Sequence, residues 1–395
     1  MARARTRTAG TMALGVALGL ATWMVAARGE SAEVMVYSAR AHYGQEPAME
    51  AFTKKTGIQV KTFGGEAGPL FERLKAEGDR TPADVLISVD AGHLWNASRA
   101  GLLSKVDSPE LQANIPAHLR DPENRWVGLT VRARTIMYNT ARVKPEELST
   151  YEALGDPKWK GRVCLRTSTH IYNQSLLATM IKRYGEPKTE ALVRGWVANN
   201  PTLINGDTKI LEAVAAGQCD VALTNTYYLG RILAKDAAFP VAAFWANQQT
   251  TGTHVNISGG GVTAHAKNRA EAIKLIEFLT STEAQQMFAD SNFEFPANPQ
   301  AAVNPVIARW GKFKQDDTNV AAAGEFQAAA TRLADRAGYK QRGCSPGRSG
   351  GPRSGPGPRS GSRRWWRSRS RRCSPRWPPR RGTSGATSGA PSSSS

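Results

Sequence analysis

Short apolar runs alternate with longer amphipathic segments from residue 33 onward. The short runs are rich in Val, Ile and Leu and predict strands, whereas the longer segments repeat apolar positions at helical spacing. This alternation indicates an α/β fold with mostly parallel sheets. The predicted strands are residues 33–38, 57–63, 83–89, 162–166 and 220–224. The predicted helices are residues 46–56, 69–77, 92–100, 172–184, 228–235, 270–281 and 283–290.

Two other segments predict strands that pass between two lobes. Residues 126–138 (WVGLTVRARTIMY) are too long for an ordinary strand, and residues 258–264 (SGGGVTA) are the candidate for a second passage. A chain of 395 residues also exceeds what one hydrophobic core usually covers. We therefore predict a discontinuous first lobe of residues 33–133 plus 262–340 and a second lobe of residues 134–261. The ligand cleft would lie between the lobes, where strand-to-helix loops converge.

The net charge of +19 is concentrated at the two ends of the chain. Residues 341–395 hold 13 Arg, no Lys and no acidic residue, and residues 1–32 hold four Arg and one Glu. Removing these contributions of +13 and +3 leaves residues 33–340 at +3. The part predicted to fold is close to neutral, so its charge gives no reason to expect a nucleic-acid partner.

The N-terminus has the pattern of a secretory signal peptide, predicted for residues 1–32. Arg3, Arg5 and Arg7 precede an apolar run over residues 12–25, and small residues follow at 26 and 27. The alternative is an uncleaved membrane anchor, but the run is shorter than the roughly 20 residues that span a bilayer. We expect an exported, periplasmic protein with no transmembrane segment in the mature chain.

Residues 341–395 change abruptly to Arg, Ser, Gly and Pro, without Asp, Glu, Lys or Ile. This composition is too polar and too basic to fold. We expect one of two origins for these residues. Either a GC-rich gene has been read in the wrong frame, or the residues are a genuine disordered extension. Residues 363–367 (RRWWR) would suit nucleic-acid binding, but that hypothesis conflicts with export.

Two cysteines lie within the part predicted to fold. Cys164 and Cys219 each belong to an apolar, strand-like segment. In an oxidising compartment such a pair favours a disulfide between neighbouring strands over a metal or catalytic site.

Four of the nine tyrosines follow predicted strands, in loops or at the helix starts just after them. They are Tyr43, Tyr172, Tyr227 and Tyr228. Any single tyrosine is more often a buried ring with a hydrogen-bonded hydroxyl. Their shared position at strand ends favours a site, because an adjacent Tyr-Tyr pair cannot easily bury both rings in one core.

Three segments resemble the metal-binding loops of periplasmic ferric iron-binding proteins, the bacterial transferrin-like solute-binding proteins of ABC importers. These segments are residues 38–43 (SARAHY), 171–174 (IYNQ) and 224–230 (TNTYYLG). The resemblance spans most of residues 33–340. It implies a two-lobed periplasmic-binding-protein fold and a monomeric protein that delivers Fe(III) to an importer permease. It also implies the metal ligands His42, Tyr43, Tyr172, Tyr227 and Tyr228.

Ferric iron is a hard, triply charged cation that favours anionic oxygen donors and can ionise a phenol whose free pKa is about 10. Four phenolates and one imidazole would form a five-coordinate site with an excess of one negative charge. Arg132 and Arg134 alternate along the long strand, and one of them would offset this charge or hold a small accessory anion. The alternative for both is a solvated strand face. We expect His170 to have no metal role.

Other functions fit the sequence less well. The same fold binds thiamine, polyamines or anions, so the fold alone does not select the ligand. We do not expect the protein to be an enzyme. The sequence has no P-loop and no H-E-x-x-H motif, and its one G-x-S-x-G match, at residues 347–351, lies in the tail.

Overall fold

The computed structural model describes residues 32–40 and 46–340. The described strands are β1 Glu33–Ser38, β2 Gln59–Gly64, β3 Val85–Ser88, β4 Val127–Asn139, β5 Val163–Arg166, β6 Thr202–Ile204, β7 Val221–Asn225, β8 Val241–Phe244, β9 Val255–Val262 and β10 Phe295–Pro296. The described α-helices are α1 Pro47–Thr56, α2 Ala67–Glu77, α3 Ala91–Arg99, α4 Pro109–Asn114, α5 Ile171–Tyr184, α6 Glu186–Ala198, α7 Asp207–Ala215, α8 Thr226–Leu233, α9 Arg269–Thr280, α10 Thr282–Asn292, α11 Pro305–Ala308, α12 Ala322–Glu325 and α13 Gln327–Arg336.

Each predicted strand and helix is present, with ends that differ by no more than a few residues. Polar caps explain some of the helix starts: Asp90 accepts a hydrogen bond from the backbone N–H of Gly92 before α3, and Ser281 does the same for Ala284 before α10. The predicted signal peptide, the predicted tail, and the predicted ligands His42 and Tyr43 lie outside the described residues.

The strands form a continuous path in the order β2-β1-β3-β9-β4-β7-β5-β6, with β8 and β10 also paired to β4. The first half of β4, from Val127 to Ala133, pairs with β9. Its second half, from Arg134 to Tyr138, pairs with β7. The long strand therefore joins two sheets, as its length predicted.

The pairing is less parallel than the alternation of strands and helices predicted. Parallel pairing is found where β1 meets β2 and β3, and where β5 meets β6 and β7. Every described pair of β4 or β9 is antiparallel: β9 runs opposite to its neighbours β3 and β4, and β4 also runs opposite to β7, β8 and β10. Moreover, β9 pairs with β3 and β4 over its whole length, so the chain has returned to the first sheet before Val255.

Both faces of each sheet are covered. In β1, Val34 and Val36 pack into one core, whereas Tyr37 packs into another on the opposite face. In β5, Leu165 and Cys164 likewise enter different cores. Alternate side chains of a strand point to opposite faces, and burial on both explains why these strands are almost continuously apolar.

The residues that follow α12 pack with the second sheet. Ala330, Leu333 and Ala334 of α13, and Tyr339 beyond it, belong to the same core as Leu176 of α5. We call residues 327–340 the C-terminal arm.

The predicted disulfide is confirmed. Cys164 of β5 is bonded to Cys219, which lies two residues before β7, and the two Cα atoms are 5.7 Å apart. Since β5 and β7 are parallel neighbours, the bond ties together the two strands that lead to Tyr172 and Tyr227. In residues 32–40 and 46–340, no helix is both long and apolar enough to cross a membrane.

Candidate metal centre

Tyr172 lies in the first turn of α5, after the loop of residues 167–170 that follows β5. His170 caps this helix, because its Nδ1 accepts a hydrogen bond of 3.2 Å from the backbone N–H of Tyr172. The two rings also meet edge to face, with centroids 4.5 Å apart. The start of α5 is thus built so that the Tyr172 side chain has a defined position.

Tyr227 and Tyr228 lie in the first turn of α8, directly after β7. Their ring centroids are 4.2 Å apart, with an interplanar angle of 30°. Because β5 and β7 run parallel, their carboxyl ends meet at one edge of the second sheet. The Oη atoms of Tyr172 and Tyr227 are accordingly 3.2 Å apart, in a hydrogen bond that either hydroxyl can donate.

Burial and a nearby cation act on the Tyr172 phenol in opposite directions. Tyr172 and Tyr227 are 7% and 1% exposed, whereas Tyr228 is half-buried. Burial raises the pKa of Tyr172 to about 12, although the charge of Arg132 lowers it. The guanidinium carbons of Arg132 and Arg166 lie 5.7 and 5.5 Å from the centre of the Tyr172 ring. This positive field would favour a phenolate.

Arg132 and Arg134 are both buried but have different surroundings. Arg132 donates from Nη1 to Ser258 Oγ at 3.1 Å and lies beside the Tyr172 ring. The guanidinium of Arg134 is engaged by Asn173, Asp207, Asn225 and the carbonyl of Leu223. Arg132 is therefore the better placed of the two to act on the tyrosines, and neither is on a solvated strand face.

The remaining histidines of the described chain have separate environments. Burial lowers the pKa of His170 to about 3, in agreement with a neutral ring whose Nδ1 accepts the cap hydrogen bond. His254 is buried beside β9, and desolvation lowers its pKa to about 4. His93 Nδ1 lies 3.3 Å from Ser88 Oγ. Among residues 32–40 and 46–340, no group of three or more His, Cys, Asp or Glu side chains is arranged to hold a metal ion.

A buried ion-pair cluster includes Arg40 and Glu46, which flank His42 and Tyr43 in the sequence. Arg40 Nε is 2.5 Å from Glu46 Oε1, and Arg40 Nη1 is 3.0 Å from Glu294 Oε2. Arg40 also donates to Ser258 Oγ at 2.7 Å, and this hydroxyl accepts from Arg132. Hydrogen bonds therefore connect the end of β1 to the arginine beside Tyr172.

Three residues that sequence reasoning missed support the site. Arg166 adds a second guanidinium beside the Tyr172 ring, while Asn173 and Tyr339 both donate to its backbone carbonyl at the end of β5. Asn173 lies within the segment 171–174, but no local sequence pattern predicts its several hydrogen bonds. Tyr339 is 167 positions from Tyr172, and only folding brings the two regions together.

The protein has a two-lobed α/β fold, and tyrosines that follow the ends of parallel strands meet in it. Residues 80–319 match the family model described as bacterial extracellular solute-binding protein, so the chain belongs to that family.

Several relatives of known name are similar over most of the chain. "Iron uptake protein A1" from Synechocystis is 46% identical, over 79% of this chain and 89% of the relative. "Iron uptake protein A2" from the same organism is 40% identical, over 80% and 92%. A solved Trichodesmium structure, described as IdiA (FutA) in complex with iron and citrate ligands, has 45% identity and a TM-score of 0.75. That alignment covers 78% of this chain and all of the other. The family-level resemblance inferred from the three loops is thus confirmed.

Proposed function

We propose that this protein binds ferric iron between its lobes outside the cytoplasm and delivers it to the permease of an ABC importer. The observation that carries the proposal is the 3.2 Å contact of the Tyr172 and Tyr227 hydroxyls, with Tyr228 beside them. Phenolate oxygens suit a hard trivalent cation. Membership in the solute-binding family and the iron-related names of the relatives support the same cargo.

The proposed ligands are His42, Tyr43, Tyr172, Tyr227 and Tyr228, and iron is the cargo rather than a resident cofactor. Arg132 would offset the surplus negative charge, either directly or through a small accessory anion. Its position beside the Tyr172 ring supports this role. Arg134 would instead support the protein scaffold, because its guanidinium is already bound to Asp207 and Asn173.

We place the lobe boundaries where the strand pairing changes. The first boundary would fall between Ala133 and Arg134 of β4, as expected from the sequence, and the second before Val255 rather than between residues 261 and 262. The C-terminal arm would belong to the second lobe, since its apolar residues share a core with α5. The role we propose is binding and transport, without catalysis. Iron is favoured over thiamine, polyamines or simple anions because none of those ligands requires clustered phenols.

The tyrosines can be tested by removing only their oxygens. Tyr227→Phe and Tyr228→Phe keep the rings and most of their packing, so the apo fold should survive with a loss of about 1 kcal/mol or less for one hydrogen bond. Each variant should lose iron to a competing chelator at least tenfold more readily. The visible absorption of the iron–phenolate complex should weaken or shift.

Tyr138→Phe is the matched control, because Tyr138 is partly buried near the end of β4 and pairs with Val221, at the opposite end of β7 from Tyr227. It should retain the wild-type colour and affinity. If Tyr227→Phe and Tyr228→Phe also keep the wild-type colour and retain iron against the chelator, these tyrosines are structural and the proposed cargo is wrong.

A further inference from the structure

The C-terminal arm contacts the end of β5 and the first turn of α5, next to Tyr172. The side chain of Tyr339, 2% exposed, lies beyond the end of α13. Its hydroxyl donates a hydrogen bond of 2.6 Å to the carbonyl oxygen of Arg166, the last residue of β5. The same hydroxyl accepts a hydrogen bond of 2.8 Å from Asn173 Nδ2.

Asn173 connects this contact to the backbone at the end of β5 and the start of the loop before Tyr172. Its Nδ2 group lies within hydrogen-bond distance of the carbonyls of Arg166 and Thr167, at 2.7 and 3.1 Å. Its Oδ1 accepts a 3.0 Å hydrogen bond from Arg134 Nε. Since Asn173 is 3% exposed, water does not compete strongly for these bonds.

A second contact ties the other end of the arm to the same helix. Gln327, the first residue of α13, donates to Gln174 Oε1 at 3.0 Å and accepts from Asn96 Nδ2 of α3 at 3.1 Å. The arm thus holds α5 near Tyr172 from both of its ends, while Leu333 and Ala334 pack against the core between them.

We propose that Tyr339 is a positioning residue for iron binding. Through Asn173 and the carbonyl of Arg166 it fixes the loop of residues 167–170, and with it the direction in which Tyr172 presents its hydroxyl to Tyr227. This inference rests on the proposed function. A ligand displaced by about 1 Å weakens a metal site strongly, so an outer residue that fixes the loop affects affinity without contacting iron.

The test uses Tyr339→Phe in the full chain, since this change keeps the ring and removes only the oxygen that makes both hydrogen bonds. The loss of one buried hydrogen bond corresponds to a roughly fivefold change in an equilibrium constant or a rate constant. We therefore expect iron release to EDTA to be about fivefold faster or more, with a shifted visible absorption band. Amide hydrogen exchange should also accelerate at residues 167–173 in the apo protein.

Tyr184→Phe is the matched control. Tyr184 is the last residue of α5, about 18 Å along the helix from Tyr172, and its hydroxyl lies 3.4 Å from Thr251 Oγ1. This variant also loses a phenol oxygen from the same core, but it should release iron at the wild-type rate. A second pair consists of truncations after Lys340 and after Gly338; only the shorter chain, which lacks Tyr339, should release iron faster.

The possible outcomes separate this inference from the proposed function. A wild-type protein that binds no ferric iron overturns both. If the wild type is coloured and Tyr339→Phe matches it in release rate and absorption, Tyr339 is merely structural and only this inference is overturned. Faster release without faster exchange at residues 167–173 also overturns it, because the effect would not pass through the loop.

Discussion

The paired hydroxyls of Tyr172 and Tyr227 are the feature at the residue scale on which the function depends. Without a cation, two phenolates 3.2 Å apart would repel each other, and burial of Tyr172 adds a cost of desolvation. The apo state is therefore neutral, with one hydroxyl donating to the other. A trivalent cation reverses this preference, so metal binding and proton release are coupled.

This coupling predicts a pH dependence of iron affinity. The pKa of Tyr172 is raised to about 12, so the phenol is protonated near pH 7 and must lose its proton when it binds iron. Affinity should therefore rise with pH and fall as the solution becomes acidic, by about tenfold per pH unit for each proton released. Chelator competition between pH 6 and pH 8 measures this slope.

Tyr172→Phe isolates the contribution of this one phenol. The variant should release about one proton fewer per iron bound, which lowers the slope of log affinity against pH by about one. His170 does not complicate the comparison, since its pKa of about 3 keeps it neutral throughout this range. A slope equal to that of the wild type would remove Tyr172 from the ligand set.

At the scale of elements, the parallel pairing of β5 and β7 decides which tyrosines meet. The helix after each strand starts at the same edge of the sheet, so α5 and α8 bring Tyr172 and Tyr227 together. The disulfide between Cys164 and Cys219 joins these two strands at their other ends. It constrains the pair of strands and belongs to the core against which Tyr228 packs.

Removal of the disulfide should lower stability. In protein recovered from an oxidising compartment, neither Cys164 nor Cys219 should react with an alkylating reagent until it is reduced. The free energy of unfolding of the double variant Cys164→Ala/Cys219→Ala should be about 2 to 4 kcal/mol lower than that of the wild type, because the bond closes a loop of 55 residues in the unfolded chain. Denaturant titration measures this difference.

The reduced wild-type protein provides a control that keeps both side chains. It should lose a similar amount of stability and regain it on oxidation. Native protein with two alkylatable thiols, or a double variant as stable as the wild type, would contradict the prediction.

For the whole molecule, β4 is the principal connection between the two sheets. Its first half hydrogen-bonds to β9 and its second half to β7, so a single strand contributes to both. Arg132 and Arg134 lie on either side of this change of partner. One arginine consequently acts beside the Tyr172 ring while the other anchors the second-sheet network.

Deletion of residues 341–395 should leave the folded part unchanged. Their composition lacks the apolar residues needed for a core, and they contain none of the proposed ligands. The chain ending at Lys340 should match the full chain in melting temperature and iron affinity within experimental error. A clear decrease in either quantity would show that these residues contribute to the folded protein.

Much of the fold could be predicted from local patterns. Strand and helix order, the unusual length of β4 and the cysteine pairing follow from apolar periodicity and from residue types in an oxidising compartment. The tyrosines after β5 and β7 could also be located, because strand-to-helix loops of parallel strands meet at one edge of a sheet.

The direction of β9, the association of the C-terminal arm with α5, and the different environments of Arg132 and Arg134 required the three-dimensional structure. Each depends on contacts between residues far apart in the chain: Tyr339 bonds to Asn173 across 166 positions, and Arg134 to Asp207 across 73. Periodicity reports whether a side chain is buried, but it does not report its partner. Packing selects that partner, because a buried polar group must find a hydrogen bond wherever the fold offers one.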